Sequence, residues 1–326
     1  MSYFFSDEKT VSQFPNTPYM DMFDGLEKDY YVQADGTNSF YCFAACDEAK
    51  GVIVLSTGRS ECLHKYAELI YEFKQNGYST FIFDHRGQGL SSRLTEDSHI
   101  GHIGRFDDYV NDMKCLIDEV LPEKLNNIGQ THLPKYLVCH SMGCAIGTLF
   151  VHKHPSYFSK LILSAPMFGV QAPVPEWFSY FVVSTVVFVR QILRMPIVYF
   201  WGQGKYIDLP FEANTLTNCP IRYKAFRETM TTHADNQLGG MSFEWFKQAI
   251  IAMREIRKQA SSINTHTLIL QAEEEQIVDN NNMSDVAKAM NKSQLTIIQK
   301  SQHEIFFEKD EARKVALSHI YDFIRA

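Results

Sequence analysis

The chain has 326 residues, 45% of them hydrophobic and 21% charged. This is an ordinary globular balance, which excludes a disordered or collagen-like polypeptide. The formal net charge of -7 argues against a general nucleic-acid surface, which requires a basic footprint, and the length suits one large domain carrying an insertion.

Met1-Ser2-Tyr3-Phe4-Phe5-Ser6-Asp7-Glu8 has no basic region followed by an apolar core, so no secretory signal is read there. Seven cysteines without regular spacing are then read as free thiols in a reducing compartment, and cytoplasmic localisation is the expectation. Tyr30-Tyr31-Val32 and Phe40-Tyr41-Cys42-Phe43 predict an opening pair of antiparallel strands. Gly51-Val52-Ile53-Val54-Leu55 predicts a buried strand, with a helix from about Cys62 to Lys74. Thr80-Phe81-Ile82-Phe83-Asp84 is the next strand, and a helix from about Phe106 to Leu121 follows it. The apolar run Tyr136-Leu137-Val138, a small-residue helix from Ala145 and the strand Leu161-Ile162-Leu163-Ser164 continue the alternation. After residue 240 it resumes with a helix near 243–260, a strand from Thr267, a helix near 282–290, a strand from Leu295 and a helix near 310–325. Short apolar runs separated by amphipathic helices indicate an α/β fold with a mainly parallel sheet covered on both faces.

The interval 167–240 breaks this rhythm and is read as an inserted, mostly helical cap, with 1–166 and 241–326 forming the core. Its most unusual stretch lies between Trp177 and Trp201, which carries no charge from Trp177 until Arg190. That run is too short for a spanning helix, which needs about 20 apolar residues. One reading packs it on the core. The other has Phe181, Val182, Phe188 and Val189 line an acyl-chain site or rest on a membrane, with Arg190 and Arg194 near headgroups.

Ser141 stands in Cys139-His140-Ser141-Met142-Gly143, between an apolar strand and a small-residue helix. That is the layout of a nucleophile elbow, in which a strained turn pushes the serine hydroxyl out at the carboxyl end of the sheet. A serine nucleophile needs a base and an orienting acid, here in the chain order Ser, acid, His. His303 follows the Leu295 strand on a short loop, and Glu273-Glu274-Glu275-Gln276-Ile277-Val278-Asp279 follows the Thr267 strand. One carboxylate of that loop is expected to hold the histidine in the correct tautomer. Other groupings carry less. Gly87-Gln88-Gly89 lacks the residues that cradle phosphate and reads as a tight turn. His152 and His154 do not share a helix face, Cys42 and Cys46 lack a partner pair for zinc, and no metal site is expected.

With Asp84-His85-Arg86-Gly87-Gln88-Gly89-Leu90-Ser91, Thr57-Gly58-Arg59-Ser60-Glu61 ending at Tyr66, Gln271 through Asn280, and His303-Glu304-Ile305, the chain resembles a known group. It is similar to the α/β-hydrolases related to monoacylglycerol lipase and the serine aminopeptidases, most closely to the bacterial lysophospholipases among them. The resemblance implies an α/β-hydrolase fold with a cap. It implies a serine esterase acting on a single-acyl lipid, lysophospholipid first and monoacylglycerol second, without a cofactor. Ala272 takes the place of the glycine that precedes the acid in the group, which puts the acid at Glu275, while Asp279 stays open as the alternative. The oxyanion hole falls to the backbone N–H groups of Met142 and Arg59. Cys139 and Cys144, which flank Ser141, are read as small buried residues filling the elbow. A lipid ester is the expected partner, with peripheral membrane contact through the cap, at the inner face of the membrane, as an option. No nucleic-acid or protein partner is evident. A general carboxylesterase, a serine aminopeptidase, which would need an acidic pocket for the substrate amine, and a non-catalytic lipid-binding protein are the competing readings.

Overall fold

Eight strands form one sheet in the order β1-β2-β4-β3-β5-β6-β7-β8. In the computed structural model, which describes residues 3–326, two short helices come first, α1 (Glu8–Val11) and α2 (Pro18–Asp24). Met1 and Ser2, the start of the stretch read for a signal, lie outside the described residues. Strands β1 (Lys28–Val32) and β2 (Asn38–Ala44) pair antiparallel, as their opening position predicts. There follow β3 (Val52–Ser56), α3 (Ala67–Gln75), β4 (Ser79–Phe83), α4 (Phe106–Cys115), α5 (Leu121–Asn127), β5 (Lys135–His140), α6 (Met142–Lys153) and β6 (Lys160–Ser164). Helices α7 (Glu176–Ile192), α8 (Pro220–Thr232) and α9 (Phe243–Gln259) separate β6 from β7 (His266–Ala272). The chain closes with α10 (Asn280–Ala289), β8 (Ser293–Ile298) and α11 (Asp310–Arg325).

Strand β2 also pairs antiparallel with β4, and every pairing from β4 to β8 is parallel. The central strands are buried on both faces, which is why they read as continuous apolar runs rather than as alternating ones. Val54, Phe81, Leu137, Leu161 and Ile269 face a layer built by α4, α6, α9 and α10. Their sheet neighbours Leu55, Ile82, Val138, Ile162 and Leu268 face the opposite layer of α2, α3 and α11. Side-chain alternation along each strand therefore feeds two separate apolar cores from one sheet.

The helix predicted over 106–121 is longer and interrupted. A π-helical turn at Leu116–Val120 sits between α4 and α5. Pro122 occupies the first turn of α5, and because proline has no N–H it removes a ladder bond, so the register slips just before it.

Between β6 and α9 the chain leaves the sheet. Helix α7 turns Val183 and Val187 inward against Phe243, and α8 packs Phe226 and Met230 against Cys62. None of the described helices is long and apolar enough to cross a membrane.

Candidate active site

Strand β5 ends at His140, and α6 begins at Met142. Ser141 alone makes the turn, with φ 51° and ψ −114°, a strained left-handed conformation for a residue with a side chain. The turn is held by the Ser141 N–H, which donates to the Ser164 carbonyl at 3.0 Å, and by the Ser141 carbonyl, which accepts from Met167 N at 3.1 Å. A Cβ on Gly143 would come within 2.3 Å of the Ser56 carbonyl oxygen, so only glycine lets α6 pass this close to β3. One turn later a Cβ on Gly147 would meet Cys139 Sγ at 2.6 Å. Cys139 therefore fills the small gap that the elbow leaves. Burial pushes the Cys139 and Cys144 thiols well up, keeping both protonated.

His303, on the loop after β8, lies with Nε2 2.8 Å from Ser141 Oγ and Nδ1 2.8 Å from Glu275 Oε2. The Glu275 side chain is fully buried. Its second oxygen accepts from the N–H groups of Ile277 at 2.8 Å and Val278 at 3.2 Å. Burial pushes this carboxyl up. The hydrogen bond and charge of His303 and the two N–H groups outweigh that, and the net shift is downward. An ionised Glu275 can only accept, so His303 Nδ1 carries the proton and Nε2 is free to accept from the serine hydroxyl. Gln171 braces the acid loop, donating through Nε2 to the Glu275 carbonyl at 2.9 Å.

Asp279 is not part of this chain of contacts. It caps α10, its Oδ1 accepting from Asn281 N at 2.8 Å and its Oδ2 from Asn282 Nδ2 at 2.5 Å. Met142 opens α6, so its N–H belongs to the first turn of a helix, where no intrahelical acceptor exists. Arg59 lies on the loop that leaves β3. Both residues line the same cavity as Ser141.

That cavity has a volume of about 920 Å³. Met167, Val170, Phe200, Trp245, Phe246 and Ile277 supply much of its apolar wall. Phe181, Val182, Phe188 and Val189 do not line it, which corrects the acyl-site half of the expectation. The face of α7 that points inward carries Val183 and Val187. Phe181 and Phe188 stand on the outer face, 64% and 62% exposed, with Val189 also exposed and Val182 half-buried. Arg190 is corrected as well. It is buried, it donates to the Pro196 carbonyl, and its Nε lies 3.7 Å from Glu244 Oε1.

A buried ion network beneath the site was not read from the sequence. Lys65 Nζ donates to Glu61 Oε1 at 2.6 Å and to Glu304 Oε1 at 2.5 Å. Glu61 Oε2 accepts from Tyr66 Oη at 2.6 Å and from the Gly58 N–H at 2.5 Å. The i,i+4 spacing of Glu61 and Lys65 was the available signal. Glu304 adjoins His303 but gives no such signal, because its partner lies far away in sequence.

A family model described as serine aminopeptidase, S33, matches residues 47–310. The chain belongs to this family. Among its relatives, lysophospholipase L2 of Escherichia coli K12 is 37% identical over 291 residues, covering 83% of this chain and 79% of that protein. The monoglyceride lipase homolog of monkeypox virus is 25% identical over 282 residues, covering 84% of this chain and 89% of that protein. In fold, this S33 family chain matches a soluble variant of the Saccharomyces cerevisiae monoglyceride lipase with a TM-score of 0.68 at 19% identity, over 92% of this chain and 94% of the other. The architecture is that of the α/β-hydrolases, as the resemblance implies, and its sheet is mainly parallel, as the alternation of strands and helices predicts.

Proposed function

We propose that the protein is a serine ester hydrolase that cleaves single-acyl lipids, lysophospholipids first and monoacylglycerols second. The observation that carries this reading is the unbroken hydrogen-bonded line from Ser141 through His303 to Glu275 at the wall of a large apolar cavity. His303 Nε2 takes the Ser141 proton as Oγ attacks the ester carbonyl. Glu275 holds the imidazole and stabilises its charged form. The N–H groups of Arg59 and Met142 stabilise the oxyanion, by about 3–4 kcal/mol each on the scale of single-donor deletions. His303 then protonates the departing glycerol oxygen, and water, activated by the same histidine, cleaves the acyl-enzyme.

The names of the relatives support the lipid substrate. The aminopeptidase reading asks for a carboxylate free to hold a substrate amine. Glu61 and Glu304 are the acidic residues of the cavity wall, and both are bound to Lys65. The segment 167–240 is the cap in this reading. Its outer face carries Phe181, Phe188 and the 66% exposed Trp177, and clustered exposed apolar side chains of this kind mark interaction surfaces. It would rest on lipid, with the exposed Arg194 and Lys205 near headgroups.

A panel of lysophospholipids, monoacylglycerols, short esters and aminoacyl amides tests the assignment. The long-chain lipids are expected to give the highest kcat/KM. Preference for aminoacyl amides would overturn it.

A further inference from the structure

The unpaired charge in the cavity wall is positive. Arg59 Nη1 donates to Ser60 Oγ at 3.0 Å and Nη2 to the Gly239 carbonyl at 2.8 Å. Its guanidinium carbon lies 5.2 Å from the Trp245 ring centre. Ser60, Gly239 and Trp245 all line the cavity, so the guanidinium is fixed in its wall. Burial pulls the Arg59 pKa down to about 10, opposed by the Tyr109 hydroxyl and by no carboxylate. The Arg59 Nε–H is buried without an acceptor. A guanidinium offers five N–H donors, and a buried one left unmade is costly. Tying the β3 loop to Gly239 explains the bonds that are formed. It does not explain why a charged group with spare donors is set in the wall of the same cavity as Ser141 with no counter-ion among the described residues. Lys205, exposed on the same wall, adds a second positive charge.

We propose that the Arg59 guanidinium binds the phosphodiester of a lysophospholipid headgroup while the Arg59 backbone N–H faces the ester being cleaved. This rests on the reading of the site as a lipid esterase and names what that site selects. The lengths agree. The chain of bonds from the Arg59 backbone nitrogen to its guanidinium carbon equals that from the ester carbonyl carbon, through glycerol, to the phosphorus. One residue can therefore serve both ends of the substrate. The planar fork of arginine suits a phosphate with two oxygens in reach, and stacking on Trp245 holds it in orientation. A monoacylglycerol with the same acyl chain offers only a neutral hydroxyl at that position, a weaker acceptor than a charged phosphodiester.

The test compares 1-oleoyl-lysophosphatidylethanolamine with 1-oleoylglycerol in neutral detergent micelles. Arg59→Met keeps the backbone N–H, so any damage at the ester falls on both substrates. The ratio of kcat/KM, phospholipid over glyceride, is expected to fall about 10- to 100-fold, the range for a hydrogen bond to a charged group. Arg59→Lys should restore part of it. Equal loss on both substrates would show that the guanidinium only holds the loop, and an unmoved ratio would equally overturn the proposal. A second arm uses the wild-type protein and p-nitrophenyl butyrate. Glycerophosphoethanolamine is expected to compete with this ester. Competition by inorganic phosphate but not by the phosphodiester would assign the site to free phosphate, and competition by oleate alone would assign it to the product carboxylate. Either result overturns the headgroup assignment without needing the variant to fold. If the wild-type protein cleaves the short ester but neither lipid, the lipid reading itself fails. If it cleaves both lipids and the ratio ignores Arg59, only the headgroup assignment fails.

Discussion

At the scale of single residues, the site depends on which carboxylate reaches His303. Glu275 carries one more methylene than the usual aspartate, and the structure uses that reach to place Oε2 2.8 Å from Nδ1 while Oε1 stays on two backbone N–H groups. Ser141→Ala and His303→Ala are each expected to lower ester hydrolysis by about 10⁴-fold or more without unfolding the protein, because such residues act as a unit. Glu275→Gln should cost about 10³–10⁴-fold, since an amide can no longer stabilise the imidazolium, whereas Asp279→Asn should change turnover little and leave α10 capped, because asparagine caps a helix as well as aspartate does. Turnover numbers on a short ester and far-ultraviolet circular dichroism check both, and a reversed order for the two acids would move the role to Asp279. Asp84 makes a different prediction. Its carboxyl accepts from the N–H groups of Leu63 at 2.7 Å and Leu90 at 2.8 Å, yet burial pushes its pKa up to about 7. A raised folded-state pKa means that protonation favours the fold. This contribution is complete below about pH 4, the ordinary aspartate value, and is lost as pH rises through 7. Melting temperatures of the wild type and Asp84→Asn should therefore converge or cross as pH rises from 4 to 8. A constant difference across that range would show that Asp84 is ionised throughout.

At the scale of elements, helix α7 separates two roles on two faces. Val183 and Val187 are buried against Phe243, while Phe181 and Phe188 are exposed. Phe181→Ser with Phe188→Ser should leave the melting temperature unchanged and weaken binding to anionic vesicles about tenfold or more, given about 1.5–3 kcal/mol for burying one such side chain. Val183→Ser should do the opposite, lowering stability while sparing the vesicle face. Sedimentation with vesicles and thermal denaturation distinguish the two, and a double serine variant that binds vesicles normally would remove the membrane role. The uncharged run of α7 was legible in the sequence, but which face turned inward was not. Apolar residues surround this helix, so periodicity gives no direction, and only the position of Phe243 settles it. The central strands were legible within a residue or two because burial on both faces makes them uninterrupted apolar runs. Helices α1 and α2 were not, since four and seven residues are too few to show a period. Ser141 and His303 were legible from strand-end position, whereas the Lys65 network depends on a contact spanning 239 residues and leaves only a local Glu61–Lys65 spacing to read.

At the scale of the whole molecule, a second buried ion network joins parts of the chain that no single element connects. Glu68 and Glu72 project from α3. Arg222 of α8 donates to Glu68 through Nε at 3.0 Å and through Nη2 at 2.9 Å, and its Nη2 also reaches Asp310 of α11 at 2.9 Å. Arg313 of α11 forms a bidentate pair with Glu72, both bonds at 2.6 Å. The Ser6 backbone N–H donates to Glu72 at 2.6 Å, so the N-terminal segment is tied to the same group. The segment between β6 and α9 is thus fastened to the core through α8 by charge, in addition to the apolar contact of Phe226 and Met230 with Cys62. Removing one partner strands a buried charge, which costs about 3–5 kcal/mol, whereas replacing both partners with neutral groups costs much less because neither desolvated charge remains. Arg222→Met should therefore destabilise the protein, by less than that amount because Arg313 Nη1 stays 3.5 Å from Glu68 Oε1, and Glu68→Gln alone should also destabilise it by leaving Arg222 with Asp310 as its one remaining carboxylate. The double variant should be more stable than the sum of the two losses predicts, by about 1–3 kcal/mol of coupling. Urea unfolding of the four proteins of this cycle measures it. Strict additivity would mean that α8 is held by its apolar contacts and that Arg222 and Glu68 stabilise the fold independently of each other.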